Sequence, residues 1–216
     1  PDQAVEVIET HAQKLLEEDV TMLTFGGDHF VTYPLLRAHA KKYGPLSLIH
    51  FDAHVDTWPD DGKRLDHGSM FLRALREGLI DPKRSVQIGI RSFSEDDYGF
   101  TVMSSPWVAE NGVRATVLEI QKVIGRNKAY LTFDIDCLDP AYAPGTGTPN
   151  TCVPTTSAVP RKVDAIIPSP PMRRIARAMG SIILPSLIIG KTKRADARPR
   201  KNGPAAGHSG PAAARN

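Results

Sequence analysis

The sequence predicts an α/β protein built on a parallel sheet that is covered by helices on both faces. Residues 46–52 (LSLIHFD) and 129–136 (AYLTFDID) are short, mostly apolar runs of the kind that form buried parallel strands. Helical segments alternate with the strand segments, which indicates right-handed crossovers between parallel strands. Carboxylates and imidazoles follow several strands, and ligand sites in such sheets lie at the carboxyl ends of the strands.

The first helix and strand follow from periodicity. Residues 3–18 form an amphipathic helical pattern, with Val5, Ile8, Ala12, Leu15 and Leu16 on one face. The apolar run 21–25 (TMLTF) predicts a short strand. The motif GGDH at 26–29 turns that strand into a helix that is expected to reach about Lys42.

The predicted alternation of helices and strands continues to residue 136. Gly44 and Pro45 end the second helix. The further elements predicted are a strand at 46–52, a helix at 69–77, a strand at 85–91, a helix at 117–124 and a strand at 129–136.

Composition divides the chain near Asn150. The formal net charge is +3, yet residues 151–216 carry twelve Lys or Arg against two acids, nine of the eighteen prolines and no aromatic residue. Such a segment buries little, so we expect residues 150–216 to be a disordered basic tail or the product of a shifted reading frame. A basic tail is also compatible with nucleic-acid binding, but no aromatic interleaving supports that function.

Other global features set the expected environment. No apolar run approaches the roughly 18 residues of a membrane span, so no membrane association is expected. The two cysteines, Cys137 and Cys152, provide no disulfide framework, and a cytoplasmic location is predicted. The chain opens PDQAVEVIETHAQ without a Met or an apolar signal core, which is the pattern of a fragment or a processed end.

Five motifs contain the candidate site: GGDH, HFDAHVD (50–56), DHGSMF (66–71), TFDIDCLDP (132–140) and GTGTP (145–149). Asp52, His54 and Asp56 recur at every second residue, as do Asp134 and Asp136, so each set should project from one side of an extended segment. Clustered carboxylates repel each other unless cations neutralise them, and this favours metal ligation over a structural network.

Two residues of these motifs have simpler readings. His29, taken alone, is more easily explained as part of a helix cap than as a metal ligand. His50 is in phase with Asp52, His54 and Asp56, but a histidine set deeper in a strand is more often a satisfied core residue.

The donor set restricts the metal. Two imidazoles and four carboxylates without a thiolate suit Mn²⁺ better than a structural zinc, while Fe²⁺, Co²⁺ and Zn²⁺ stay open. Two such metals activate water for hydrolysis at an electrophilic carbon or phosphorus.

In this order and spacing, the five motifs resemble the ureohydrolase family of arginases and agmatinases. The resemblance covers residues 1–149, which would form a partial ureohydrolase domain. It implies an arginase-like three-layer α/β fold, here incomplete, with two Mn²⁺ per chain and a homo-oligomeric assembly. It also implies hydrolysis of agmatine to putrescine and urea by a hydroxide that the two manganese ions hold.

The resemblance also assigns roles to residues. It implies one metal bound by His29, Asp52, Asp56 and Asp134, and the other by Asp52, His54, Asp134 and Asp136. Asp136 would orient the hydroxide, and His67 would carry a proton to the leaving amine, since histidine changes protonation state near neutral pH. Glu95 and Asp96, in an acidic loop, would attract the cationic substrate tail, although an acidic loop that is only solvated is the simpler reading.

The sequence also departs from the family pattern. The family has further residues before this start, a Gly-Gly-Leu segment after GTGTP and a later catalytic glutamate, whereas no Glu follows Glu119 here. Three interpretations therefore stay open: an agmatine hydrolase, a hydrolase of guanidinobutyrate, guanidinopropionate or arginine, and a metal-binding remnant without activity.

Overall fold

The computed structural model describes residues 2–63 and 65–150, and the predictions made for the tail lie outside these ranges. Four helices and four strands are found there: α1 (Asp2–Glu17), α2 (Thr32–Tyr43), β1 (Ser47–Phe51), α3 (Met70–Arg76), β2 (Val86–Ile90), β3 (Thr101–Ser104), α4 (Ser105–Ile124) and β4 (Ala129–Phe133). None of these helices combines the length and apolar character that crossing a bilayer requires.

The strands form one parallel sheet in the order β3-β2-β1-β4. Strand β1 lies between β2 and β4, and Phe51 at its end is in register with Ile88 and Phe133. All five residues of β1 are buried, as expected for a central strand covered on both faces. The registers bring the carboxyl ends of β1 and β4 to the same level, which is where the site lies.

Each face of the sheet packs against helices. On one face, Ile49, Phe51 and Ile88 pack against Ile120 and Ile124 of α4. On the other face, Leu48 of β1 packs with Leu36 of α2 and Phe71 of α3, while α1 packs on α2 through Ala12, Leu16, Leu35 and Ala38. The predicted fold class, a parallel sheet with helices on both faces, is confirmed.

One predicted strand is wrong, and one observed strand was not predicted. Residues 21–25 are not a strand, and Leu23 and Phe25 are 80% and 88% exposed. A strand needs a neighbour to pair its backbone groups, and this segment pairs with none of the four described strands. Strand β3 was not predicted because its four residues (TVMS) are short, and Val102 on this edge strand is partly exposed.

Candidate metal centre

The segment after β1 turns instead of continuing as a strand. Strand β1 ends at Phe51, and the backbone N–H of His54 donates to Asp52 Oδ1 at 2.7 Å. Asp56 has a positive φ of 50°, a left-handed conformation that aspartate adopts more readily than most residues other than glycine. The expected alternation of an extended segment is therefore wrong, and a tight loop brings these side chains together.

The segment after β4 turns in the same way. Asp134 Oδ1 accepts a hydrogen bond from the backbone N–H of Asp136 at 2.9 Å and so caps the 3₁₀ turn Ile135–Cys137. The N–H of Asp134 donates to Phe51 O at 2.9 Å, which fastens this turn to the end of β1. The two acidic turns are thereby held side by side at one edge of the sheet.

His29 is in contact with three carboxylates. Its Nδ1 lies 3.0 Å from Asp52 Oδ2, 3.0 Å from Asp56 Oδ2 and 3.4 Å from Asp134 Oδ2. Its Nε2 lies 2.8 Å from Thr132 Oγ1, on β4. His29 reaches this position because it begins a short 3₁₀ turn, Asp28 capping it by accepting from the N–H of Phe30.

A second group of potential metal ligands surrounds His54, and it shares Asp52 with the group around His29. His54 Nδ1 lies 3.0 Å from Asp136 Oδ2 and 3.4 Å from Asp52 Oδ1. Asp136 is buried, and its Oδ1 accepts from the N–H of Ala53 while its Oδ2 accepts from Thr148 Oγ1. Among the residues that the structure describes, two sets have donor atoms close enough to hold a metal ion: His29, His50, Asp52 and Asp56; and Asp52, His54 and Asp136.

The electrostatics follow from crowded charges in a buried place. Burial lowers the pKa of His29, but hydrogen bonds with Asp52 and Asp56 outweigh it and raise that pKa to about 10. Hydrogen bonds with Asp136 and Asp52 raise the pKa of His54 to about 10. The cluster therefore attracts positive charge strongly.

The pKa values of the carboxyl groups in the cluster are shifted in opposite directions. Burial favours the neutral form of Asp52, but interactions with His50, His29 and His54 hold its pKa well below the usual range. Burial raises the pKa of Asp56 and that of Asp134.

The other predicted residues lie at the surface. The His67 side chain is 45% exposed, and its Nδ1 lies 3.2 Å from Asp28 Oδ2. Glu95 and Asp96 are exposed, and Asp96 accepts from the N–H of Tyr98 in its own loop.

Trp58 connects the acidic loop, which contains Glu95 and Asp96, to the carboxylate cluster. Its indole N–H donates to Phe93 O at 3.4 Å, and its ring centroid lies 5.9 Å from that of His54. A Cβ added at Gly68, the neighbour of His67, would lie 3.1 Å from the Trp58 ring. Trp58 therefore lies between the acidic loop, the segment of His67 and the carboxylate cluster.

Sequence reasoning missed several residues that hold the cluster in place. The Arg91 guanidinium donates to the backbone carbonyls of Asp136, Cys137 and Leu138, and to that of Asn150. Arg91 directly follows β2, so the rule that placed Asp52 and Asp134 at strand ends could have found it. Thr148 is the second threonine of GTGTP, a motif for whose threonines the sequence indicated no role.

Comparison with known proteins identifies relatives of this chain. A sequence model of the arginase family matches residues 1–166. An agmatinase of Chromobacterium violaceum is 63% identical over 141 residues, which are 64% of this chain and 44% of that protein. The chain spans about half the length of the curated relatives it matches.

Solved structures agree with the sequence comparison. The crystal structure of a hypothetical agmatinase from Burkholderia thailandensis matches with a TM-score of 0.67 and 59% identity, over 68% of this chain and 47% of that one. A proclavaminate amidino hydrolase from Streptomyces clavuligerus matches with a TM-score of 0.66 and 40% identity, over 70% and 54%.

Proposed function

This chain belongs to the arginase family, a family of binuclear metal enzymes, and we propose on that basis that its buried carboxylate cluster holds two Mn²⁺ and hydrolyses agmatine to putrescine and urea. The observation that carries the proposal is the convergence of two donor groups on one shared carboxylate, that of Asp52. The choice of agmatine as the substrate draws on the relatives, which are agmatinases.

The donor set fits a pair of divalent ions. Imidazole nitrogens and carboxylate oxygens suit Mn²⁺, and no thiolate takes part in either group. We assign His29, Asp52, Asp56 and Asp134 to one ion, and Asp52, His54, Asp134 and Asp136 to the other. When bound, the two ions would supply an activated water and Lewis acidity at neutral pH. The carboxylates that raise the pKa of His29 and His54 to about 10 would also favour a metal cation, which must displace the ring proton to bind.

The protein's own residues orient the reacting groups. Hydrogen bonds from Ala53 N–H and Thr148 Oγ1 fix both oxygens of Asp136, so this carboxylate can align an attacking water. His67 would carry a proton between solvent and the leaving amine, since its side chain is half-exposed and its Nδ1 is near Asp28. A histidine held at the surface by a carboxylate can exchange protons with water.

The cationic tail of the substrate would lie toward the loop after β2. Glu95 and Asp96 are exposed there, and Trp58 contacts both this loop and His54. Carboxylates attract an ammonium group, and an aromatic wall provides an apolar contact for a methylene chain. We therefore propose Glu95 and Asp96 as substrate-binding residues.

The proposal predicts urea release by the full chain. After loading with Mn²⁺, the protein should release urea from agmatine, and Asp134→Ala should abolish the release because a shared carboxylate is lost. Guanidinobutyrate, guanidinopropionate and arginine provide the substrate comparison. Glu95→Gln with Asp96→Asn should raise the KM for agmatine with little change in kcat, whereas the exposed control Glu110→Gln on α4 should change neither.

The outcomes separate the remaining interpretations. Faster turnover of another guanidino compound would identify that compound as the substrate, while the proposed hydrolysis would stand. If the protein bound two Mn²⁺ but released urea from none of the four substrates, the interpretation as a metal-binding protein without activity would be supported instead. A cytoplasmic location and a homo-oligomer are further proposals from the family, and size-exclusion chromatography tests the second.

A further inference from the structure

The buried histidine of β1, His50, has no part in the ligand assignment above. Its side chain is fully buried, and its Nε2 lies 2.8 Å from Asp52 Oδ2. Its Nδ1 lies 3.3 Å from Nε2 of Gln87, the residue in register with it on β2. Phe71 packs edge-on against the imidazole, with ring centroids 4.6 Å apart. Both nitrogens of His50 are therefore engaged, and the ring is held by packing.

The direction of these hydrogen bonds follows from Gln87. Its Nε2 donates to the carbonyl oxygen of Val55 at 2.6 Å, which fixes the amide with its nitrogen toward His50. An amide nitrogen only donates, so His50 Nδ1 must accept. The proton of the neutral ring is then on Nε2, which donates to Asp52 Oδ2.

This network holds the loop after β1 at two places. His50 holds the carboxylate of Asp52, and Gln87 holds the backbone at Val55, between His54 and Asp56. Asp52 is also the residue that the two donor groups share. An error in its orientation would therefore disturb both groups at once.

We infer that His50 and Gln87 are positioning residues that present the Asp52 carboxylate to both metal ions, and that His50 is not itself a ligand. The inference rests on the proposed function. A metal bound at Nε2 of His50 would have to replace the bond to Asp52, and one bound at Nδ1 would have to replace the bond from Gln87. Partners that orient a ligand in this way typically contribute about 10–100-fold in metal affinity.

Three variants of the full chain test the inference. His50→Leu removes both hydrogen bonds and keeps an apolar side chain, and Gln87→Met keeps the length of residue 87 without its donors. His50→Gln is the matched control, since its amide can donate to Asp52 in place of Nε2. The readouts are the affinity and stoichiometry of Mn²⁺ by calorimetry, and the electron paramagnetic resonance spectrum of the bound ions.

The expected result is a pattern across the variants. His50→Leu and Gln87→Met should weaken the binding of both ions by about 10–100-fold and broaden the spectrum. His50→Gln should recover most of the affinity and the wild-type spectrum. Circular dichroism verifies the fold, and Gln87→Met decides the case in which His50→Leu does not fold.

Other results would overturn the inference. If His50→Gln bound one ion fewer, His50 would be a ligand. If Gln87→Met kept wild-type affinity and spectrum, or all three variants lost stability and affinity equally, positioning would be excluded while the proposed function stood. A wild type that bound no Mn²⁺ would overturn the proposed function, and this inference with it.

Discussion

At the scale of single residues, His29 is surrounded by three carboxylates. Asp52, Asp56 and Asp134 all approach its Nδ1. Hydrogen bonds with Asp52 and Asp56 overcome the lowering effect of burial and raise the pKa of His29 to about 10. A proton on this ring therefore takes part of the role that a metal ion would have in balancing the carboxylates.

The raised pKa predicts how the metal-free protein responds to pH. A folded-state pKa above the unfolded value of 6.5 gives stability that is fully present below pH 6.5 and is lost as pH rises through about 10. Between pH 7 and pH 10, the free energy of unfolding should fall by about 2–4 kcal/mol more in the wild type than in His29→Asn. Urea unfolding of both proteins at the two pH values measures this, and equal losses would contradict it.

At the scale of elements, strand β2 has an irregularity that brings it close to the site. The register with β3 shifts between Ile88 and Ile90, and Gly89 between them has a φ of +91°. A Cβ at Gly89 would lie 3.2 Å from the backbone oxygen of Asp52. Glycine is needed here both for the backbone conformation and for the close approach of the loop.

Gly89→Ala should therefore affect both stability and the site. We expect a loss of about 1–3 kcal/mol in the free energy of unfolding, together with weaker Mn²⁺ binding. Gly78→Ala is the matched control, because Gly78 also has a positive φ, +69°, but no heavy atom of the described residues lies within 4 Å of an added Cβ. It should lose about 1 kcal/mol and bind Mn²⁺ normally. Weakened binding in Gly78→Ala alone would contradict the explanation.

The elements also show which features the sequence could predict. Apolar runs and helical periodicity were sufficient for β1, β4 and α1, because burial on both faces or on one face leaves a direct pattern. The same apolar signal at 21–25 was misleading, since strand formation depends on a partner that lies elsewhere in the chain. Strand β3 escaped detection because four residues at an edge contain too little pattern.

The candidate site was predictable in position but not in geometry. Carboxylates after buried strands indicated that Asp52 and Asp134 would meet, and the parallel register brings them to one level. The spacing suggested extended segments, whereas the carboxylates of Asp52 and Asp134 accept hydrogen bonds from the backbone N–H groups two residues on and so form turns. The role of Gln87 depends on contacts between distant segments, which no local pattern encodes, whereas the position of Arg91 directly after β2 could have indicated it.

At the scale of the whole molecule, apolar side chains are distributed unevenly. Leu23 and Phe25 are largely exposed, whereas Leu36 of α2 is fully buried. Exposed apolar residues close together favour association between molecules. Substitutions in the segment 21–25 should therefore change the solubility of the protein without changing its stability.

Replacing Leu23 and Phe25 by serine should reduce aggregation without lowering stability. Light scattering of concentrated samples should fall, while the free energy of unfolding should change by less than about 0.5 kcal/mol. Leu36→Ala is the contrast, with an expected loss of about 2–5 kcal/mol from the cavity it creates. A large loss of stability in the double serine variant would show that these side chains are buried in solution.

The contact between His29 and Thr132 has a consequence for folding. These residues are 103 positions apart, yet their side chains meet at 2.8 Å. Closing so long a loop carries an entropic cost that local helices such as α1 do not have, so contacts of this kind form slowly. The cluster therefore forms only after the segments of His29 and Thr132 have come together. Binding of a metal ion would then distinguish the folded protein from a collapsed intermediate.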